Sequence, residues 1–387
     1  MMTLPHKASK NLRWFHCACL IAALLTPAVH ASEPKTDAPP SPKHSTMTLV
    51  SANDATIHYS GRCAWKDGSM RMGYPGVSLR FAFRGKAPSI QLQADSVDCY
   101  FNLSCNGWEP VTLRLNPGLN TIDLPIGTAP ETGWWIELTR RTESWMGEAA
   151  FAGVLLPEGC ELLPPPPYPD RRLLVIGDSI TCGEYVEKFP PEFDPTQRST
   201  NAARSYAMIL GKWLGAQTHL IAYGGKGYLR EWSGSDKAPL IPACFERALP
   251  DDPASQWDHS SYQPDVVILN VGTDYDVGMP DPAAMQEVMH RLLCRIREVH
   301  AEAWIVLVES GYHSDGSDGQ STLVRQAHLE LMQWLVDKRK GEGDLKLALQ
   351  NSGFHRGTPQ DTHLVAFQQE QIAMDLLPLI RDLTNWD

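Results

Sequence analysis

Leu173-Leu-Val-Ile-Gly-Asp-Ser-Ile-Thr181 is the stretch on which the fold turns. Four strand-forming apolar residues run directly into Gly177, Asp178 and Ser179, which sets a hydroxyl at the carboxyl end of a strand, where parallel sheets bind their ligands. Further apolar runs at 219–222, 266–271, 304–308 and 345–349 alternate with helical stretches, the grammar of a parallel sheet covered on both faces. One helix is well signalled: Asp281 caps it, Pro282 opens it, and Met285, Val288, Met289, Leu292, Ile296 and Val299 form one apolar stripe. A last helix is expected over 366–383, so residues 171–387 read as one α/β domain with a parallel sheet.

Upstream, Pro164-Pro-Pro-Pro167 can neither pair into a sheet nor continue a helix, and it marks a boundary. Before it the period falls to two. Alternating runs at 77–83, 89–93, 111–115, 119–124, 134–139 and 149–155 are broken by Gly, Pro and Asn, and predict an all-β sandwich of jelly-roll type over residues 46–163. Residues 32–45, rich in Pro, Ser and Lys, read as a linker. Residues 1–31 carry Lys7, Lys10 and Arg13, an apolar run over 14–25, and Val29-His-Ala31, the layout of a secretory signal peptide. That run is too short to span a bilayer, so a periplasmic or secreted protein without a membrane anchor is expected.

The whole chain of 387 residues has a formal charge of −11, which becomes −14 once residues 1–31 are removed. Such an acidic balance excludes a non-specific nucleic-acid binder, and 43% hydrophobic with 20% charged residues excludes a disordered chain. Seven of the nine cysteines lie beyond the signal, an odd number for an oxidising compartment. Cys99 with Cys105 is the expected disulfide, with buried free thiols as the equal alternative. No CxxC pair and no HExxH occurs, so a zinc site has no support and no metal is expected.

A serine is a poor nucleophile at neutral pH until a base takes its proton, and the base works best when a carboxylate fixes its tautomer. Asp361-Thr-His363 supplies both, since it follows the last strand, precedes the last helix, and so belongs on the same rim as Ser179. Taken singly, Gly-Asp-Ser is also an ordinary strand-to-helix turn with serine as cap, and His363 also an ordinary surface residue. The ordered pair points to nucleophilic catalysis. Asp178 reads as a turn-holding residue.

These motifs resemble those of the SGNH (GDSL-like) hydrolases, and specifically of carbohydrate esterase family 2. The similar segments are Glu137-Leu-Thr-Arg-Arg-Thr-Glu143, the nucleophile block Gly177-Asp-Ser-Ile-Thr-Cys-Gly183, Ala203-Arg-Ser-Tyr206, Gly224-Gly-Lys-Gly227, Val271-Gly-Thr-Asp274 and Asp361-Thr-His363. The resemblance implies a jelly roll joined to a flavodoxin-like SGNH domain, and an esterase that removes O-acetyl groups from carbohydrate without metal or organic cofactor. It implies Ser179 as nucleophile, His363 as base and Asp361 as orienting acid. The backbone N–H groups of Ser179 and Gly225 would form two oxyanion donors, and position 274 the third. There the family has Asn and this chain has Asp274, which would still donate if protonated, would oppose the transition state if ionised, or would turn away. The family's aromatic between Asp and His and its following Pro are replaced by Thr362 and Leu364, so Trp232 is the candidate for stacking against sugar, with core packing as its equal alternative. Two rivals share the motifs: a carbohydrate O-acetyltransferase using the same acyl-enzyme, and a carbohydrate-binding protein with a degenerate site.

Overall fold

The computed structural model describes residues 47–188, 197–237, 239–309, 319–352 and 363–387. The signal segment, the linker and Asp361 lie outside them. Residues Ser45–Asp387 make one compact unit.

Its first half holds two six-stranded antiparallel sheets. One runs in the order Ala64–Lys66, Ser69–Met72, Ala149–Leu156, Ser89–Ala94, Gly118–Asp123, with Thr48–Ser51 also paired to Ala149–Leu156. The other runs Cys160–Leu163, Ser78–Gly85, Ala129–Arg140, Tyr100–Cys105, Val111–Arg114, with His58–Ser60 also paired to Ser78–Gly85. Alternation drives the burial: Leu79, Phe81 and Phe83 are fully buried while Arg80 and Arg84 on the other face reach charged partners, and Ile90 and Leu92 are buried while Gln91 and Gln93 are not.

The expected Cys99–Cys105 bridge is absent, and both residues are buried free thiols. The reason is a strand that sequence periodicity did not reveal. Tyr100–Cys105 is a single extended run, so the two cysteines stand at its opposite ends, about 20 Å apart by strand rise and far beyond the reach of a disulfide.

The second half is a five-stranded parallel sheet. Its spatial order is Ala216–Ala222, Arg171–Gly177, Val266–Asn270, Trp304–Glu309, Leu347–Asn351, so the first strand of this half lies second and the topological switch falls beside it. Helices Tyr206–Leu214 and Ala366–Thr384 pack together, and a core of Leu173, Val175, Leu210, Ile372 and Leu376 lies between them and the sheet. Helix Pro282–Val299 begins as its sequence requires, with the Asp281 carboxylate accepting the Ala284 N–H at 2.9 Å. It packs against Gly319–Gly341, a helix the sequence pattern had not marked out. No helix among the described residues is long and apolar enough to cross a membrane.

The two halves share one apolar core, which runs from Phe81 and Phe101 through to Ile176, Ile221 and Leu269. They are also joined by polar chain. At the end of strand Ala129–Arg140, five consecutive polar residues, Arg140, Arg141, Thr142, Glu143 and Ser144, are all buried. Arg141 donates to the Arg198 carbonyl at 2.8 Å and pairs with Glu187, and the Ala202 N–H donates to the Arg141 carbonyl at 2.9 Å. Arg140 folds back on the segment itself, donating to the carbonyls of Thr142 and Glu143 at 3.0 and 2.8 Å. These bonds to both the segment itself and the second half hold Arg140 and Arg141 in one geometry.

Candidate active site

Strand Arg171–Gly177 ends beside Ala222 and Asn270, and the chain turns at once into the short helix Ser179–Cys182. Gly177 is required for that turn, because a β-carbon there would lie 1.8 Å from the Thr181 hydroxyl. Gly183 closes the helix with φ of 69°, in the left-handed region. Asp178 ties the turn down: one carboxylate oxygen accepts the Ile180 N–H at 3.2 Å, and the other accepts the Gly272 N–H at 2.8 Å and the Thr273 hydroxyl at 3.1 Å. Its place is thus to lock the loop after the third strand against the nucleophile turn.

Ser179 and His363 meet across 184 residues of sequence, with Oγ and Nε2 3.0 Å apart. That is hydrogen-bonding distance for a hydroxyl on an imidazole nitrogen. His363 is fixed from outside the pair as well: Lys188 donates to its carbonyl at 2.5 Å, and the Tyr185 ring meets the imidazole edge-on at 5.6 Å. The same Nε2 also lies 3.1 Å from Oε2 of Glu184, a residue for which the sequence offered no role.

Behind Glu184 sits Glu143, wholly buried, with no hydrogen-bond donor on either carboxyl oxygen. Burial, and after it the charge of Glu184, holds its carboxyl well above the usual carboxylate range. Its Oε2 abuts Gly224, where a β-carbon would come within 2.0 Å. Glycine at 224 thus gives Glu143 its space, one residue before Gly225.

Gly225 has φ of 73° and accepts the Trp232 N–H on its carbonyl at 3.0 Å. The Trp232 ring covers the Gly225 α-carbon, yet the residue is 63% exposed. Core packing is excluded by that exposure, and the indole forms an open face next to the expected oxyanion donor.

Asp274 is completely buried and its carboxylate is fully occupied. One oxygen accepts the Tyr228 N–H at 2.7 Å, and the other accepts the N–H groups of Leu229 and Arg230 at 2.8 and 3.0 Å. Desolvation pushes this carboxyl up from its ordinary value, against the pull of those three N–H groups and of the Arg230 guanidinium. With three backbone N–H groups on its two oxygens, Asp274 organises loop 228–230 in this geometry. Asp361 lies outside the described residues.

Comparison with known proteins gives the family. The family model described as Carbohydrate esterase 2 N-terminal matches residues 59–166. An acetylxylan esterase / glucomannan deacetylase of Cellvibrio japonicus is 30% identical over 346 residues, 88% of this chain and 93% of that protein. Among solved structures, a family two carbohydrate esterase from Cellvibrio japonicus superposes with a TM-score of 0.80 at 29% identity, over 88% of this chain and 99% of that one. A family two carbohydrate esterase from Clostridium thermocellum in complex with cellohexaose gives a TM-score of 0.76 at 25% identity, over 86% and 100% of the two chains.

Proposed function

The chain belongs to carbohydrate esterase family 2 and is a carbohydrate acetylesterase, and from that premise we propose that Ser179 and His363 carry the reaction on O-acetylated plant-type polysaccharide or its oligosaccharides outside the cytoplasm. The observation that carries the mechanism is the 3.0 Å approach of Ser179 Oγ to His363 Nε2 at the carboxyl rim of the parallel sheet.

In the first half-reaction His363 takes the Ser179 proton, Oγ bonds to the acetyl carbon, and the proton passes to the departing sugar oxygen. In the second, water gives its proton to His363 and its oxygen to the acetyl carbon, acetate leaves, and Ser179 recovers its proton. The developing oxyanion is met by the backbone N–H groups of Ser179 and Gly225, each such donor contributing on the order of 10²- to 10³-fold in rate. Asp361 orients His363. Trp232, exposed and lying over Gly225, stacks against the sugar that bears the acetyl group.

The substrate class follows the relatives' activities, acetylxylan esterase and glucomannan deacetylase. The antiparallel half, whose strands cross from sheet to sheet at most connections, is read as a jelly roll, and residues 1–31 as the signal that exports the chain. Acetate release from a panel of acetylated polysaccharides, with Ser179→Ala as control, tests the reading. Release that survives in that variant removes Ser179 as nucleophile, and absence of release from every acetylated polysaccharide removes the substrate class.

A further inference from the structure

Glu143 is a charged residue type with no exposure and no hydrogen-bond donor to either carboxyl oxygen. The groups that face it are the carboxylate of Glu184, the thiol of Cys182 and the phenol of Tyr223, with His363 beyond. Cys182 in turn faces Glu143, Glu184 and Asp178, and its thiol is also pushed well up, first by burial and then by Glu143. Lys188 reaches the backbone carbonyl of His363, and Tyr185 meets the imidazole edge-on. A wholly buried carboxyl that senses the charge of a second carboxyl and has no cation paired to it is disfavoured as an anion, so the two groups together keep one proton. Glu184 is the outer member, and its Oε2 is 3.1 Å from the nitrogen that receives the serine proton.

We propose that Glu143 and Glu184 hold one proton between them and that Glu184 accepts the Nε2–H of His363 whenever the base is charged, so that a residue of the antiparallel half takes part in hydrolysis. Glu184 is then a catalytic residue, since it touches the reacting nitrogen, and Glu143 is a positioning residue that acts through it. The proton balance of the ester reaction is unchanged: the proton on Nε2 comes from Ser179 or from water, leaves to the sugar oxygen or back to Ser179, and never transfers to the pair. What the pair adds is a single fixed negative charge beside the imidazolium, in a site that excludes much of the water that would otherwise screen it. The fixed proton on Glu143 keeps Glu184 from being paired with a second full charge.

This inference rests on the esterase reading for its kinetic half and stands apart from it for its other half. In the full chain carrying Ser179→Ala, the His363 ring is followed by NMR as pH is varied, with and without Glu184→Gln. The midpoint falls by about one pH unit or more when Glu184 becomes Gln. Glu143→Gln shifts it by less than half as much, because the amide still donates to Glu184. An unmoved midpoint in Glu184→Gln overturns the proposal, whatever the chain hydrolyses. With Ser179 present, Glu184→Gln lowers kcat on a small aryl acetate about tenfold or more at unchanged KM and moves the acid limb of the profile to lower pH, whereas Glu143→Gln stays within about threefold of the parent. A parental kcat in Glu184→Gln overturns its catalytic part, and a loss in Glu143→Gln as large as in Glu184→Gln overturns the shared proton. If no ester is turned over by the parent, the esterase mechanism fails while the NMR arm still decides the pair.

Discussion

Arg230 and Asp274 hold each other twice: the Arg230 N–H binds the Asp274 carboxylate at 3.0 Å, and the Arg230 guanidinium donates to the Asp274 carbonyl at 2.7 and 2.9 Å. The loop that carries Gly225 and Trp232 is thereby closed on a buried carboxyl group. Asp274→Asn puts an amide NH₂ against one of three backbone N–H groups, so stability and kcat both fall. The expected loss of stability is about 1–3 kcal/mol. Thermal unfolding and kcat on an aryl acetate check this, and a rise in kcat would show that position 274 faces the oxyanion after all.

Replacing Ser179 or His363 with Ala removes the attacking oxygen or its base without touching the core, so kcat falls by on the order of 10⁴-fold or more while the melting transition stays put. Ser179 is partly exposed and its turn is held by Asp178, which makes the fold indifferent to its hydroxyl. Matched circular dichroism melts and single-turnover acetate release are the measurements. A His363→Ala enzyme with parental turnover would remove the proposed base.

Trp232→Ala takes away an exposed indole face that contributes to binding without touching Ser179. A stacking contact of about 1 kcal/mol predicts a KM for acetylated oligosaccharide raised about fivefold, with turnover of a small aryl acetate little changed. Equal losses on both substrates would mean that the indole serves Gly225 and not the sugar.

His219 stacks on Tyr262 at 3.5 Å between ring centroids, and burial pushes its pKa down from 6.5 to about 3. Folded chain thus leaves this imidazole neutral where unfolded chain protonates it. The unfolded state binds the extra proton between about pH 6.5 and 3, so stability falls as pH drops through that window. His219→Phe keeps the stack and removes the titration, and it flattens the acid side of the stability curve by at most about 5 kcal/mol. Denaturant unfolding at pH 7 and pH 4 shows the difference, and parallel losses in both proteins would place the acid sensitivity elsewhere.

What sequence made legible is what local chemistry dictates. The strand into Gly177, the cap at Asp281 and the order of Ser179 and His363 all depend on neighbours in sequence, and their places in the structure follow. Strand Tyr100–Cys105 did not announce itself because Asn102 interrupts its apolar character, yet Asn102 is buried and satisfied from afar, donating to Asn201 at 3.0 Å and accepting from Arg141 at 3.0 Å. Missing that strand is what made a Cys99–Cys105 disulfide look feasible. Glu184 is silent for a related reason: an acid after glycine resembles any surface carboxylate until folding brings Glu143 behind it and His363 in front. The exposure of Trp232 is likewise decided by the loop that Asp274 closes, not by the residues beside it.

The buried run from Arg140 to Ser144 also bears on how such a protein can be taken apart or recombined. Glu143 precedes Ser179 by 36 residues and lies on the far side of the four prolines, so the apparent hinge in the chain is not a seam in the machinery. A fragment cut at those prolines would expose Gly224 to solvent where a carboxyl should lie and would leave the Glu187 carboxylate without its Arg141 partner. Exchange of the antiparallel half between relatives can therefore succeed only where the incoming piece brings that same short peptide along with an apolar face that fits the shared core.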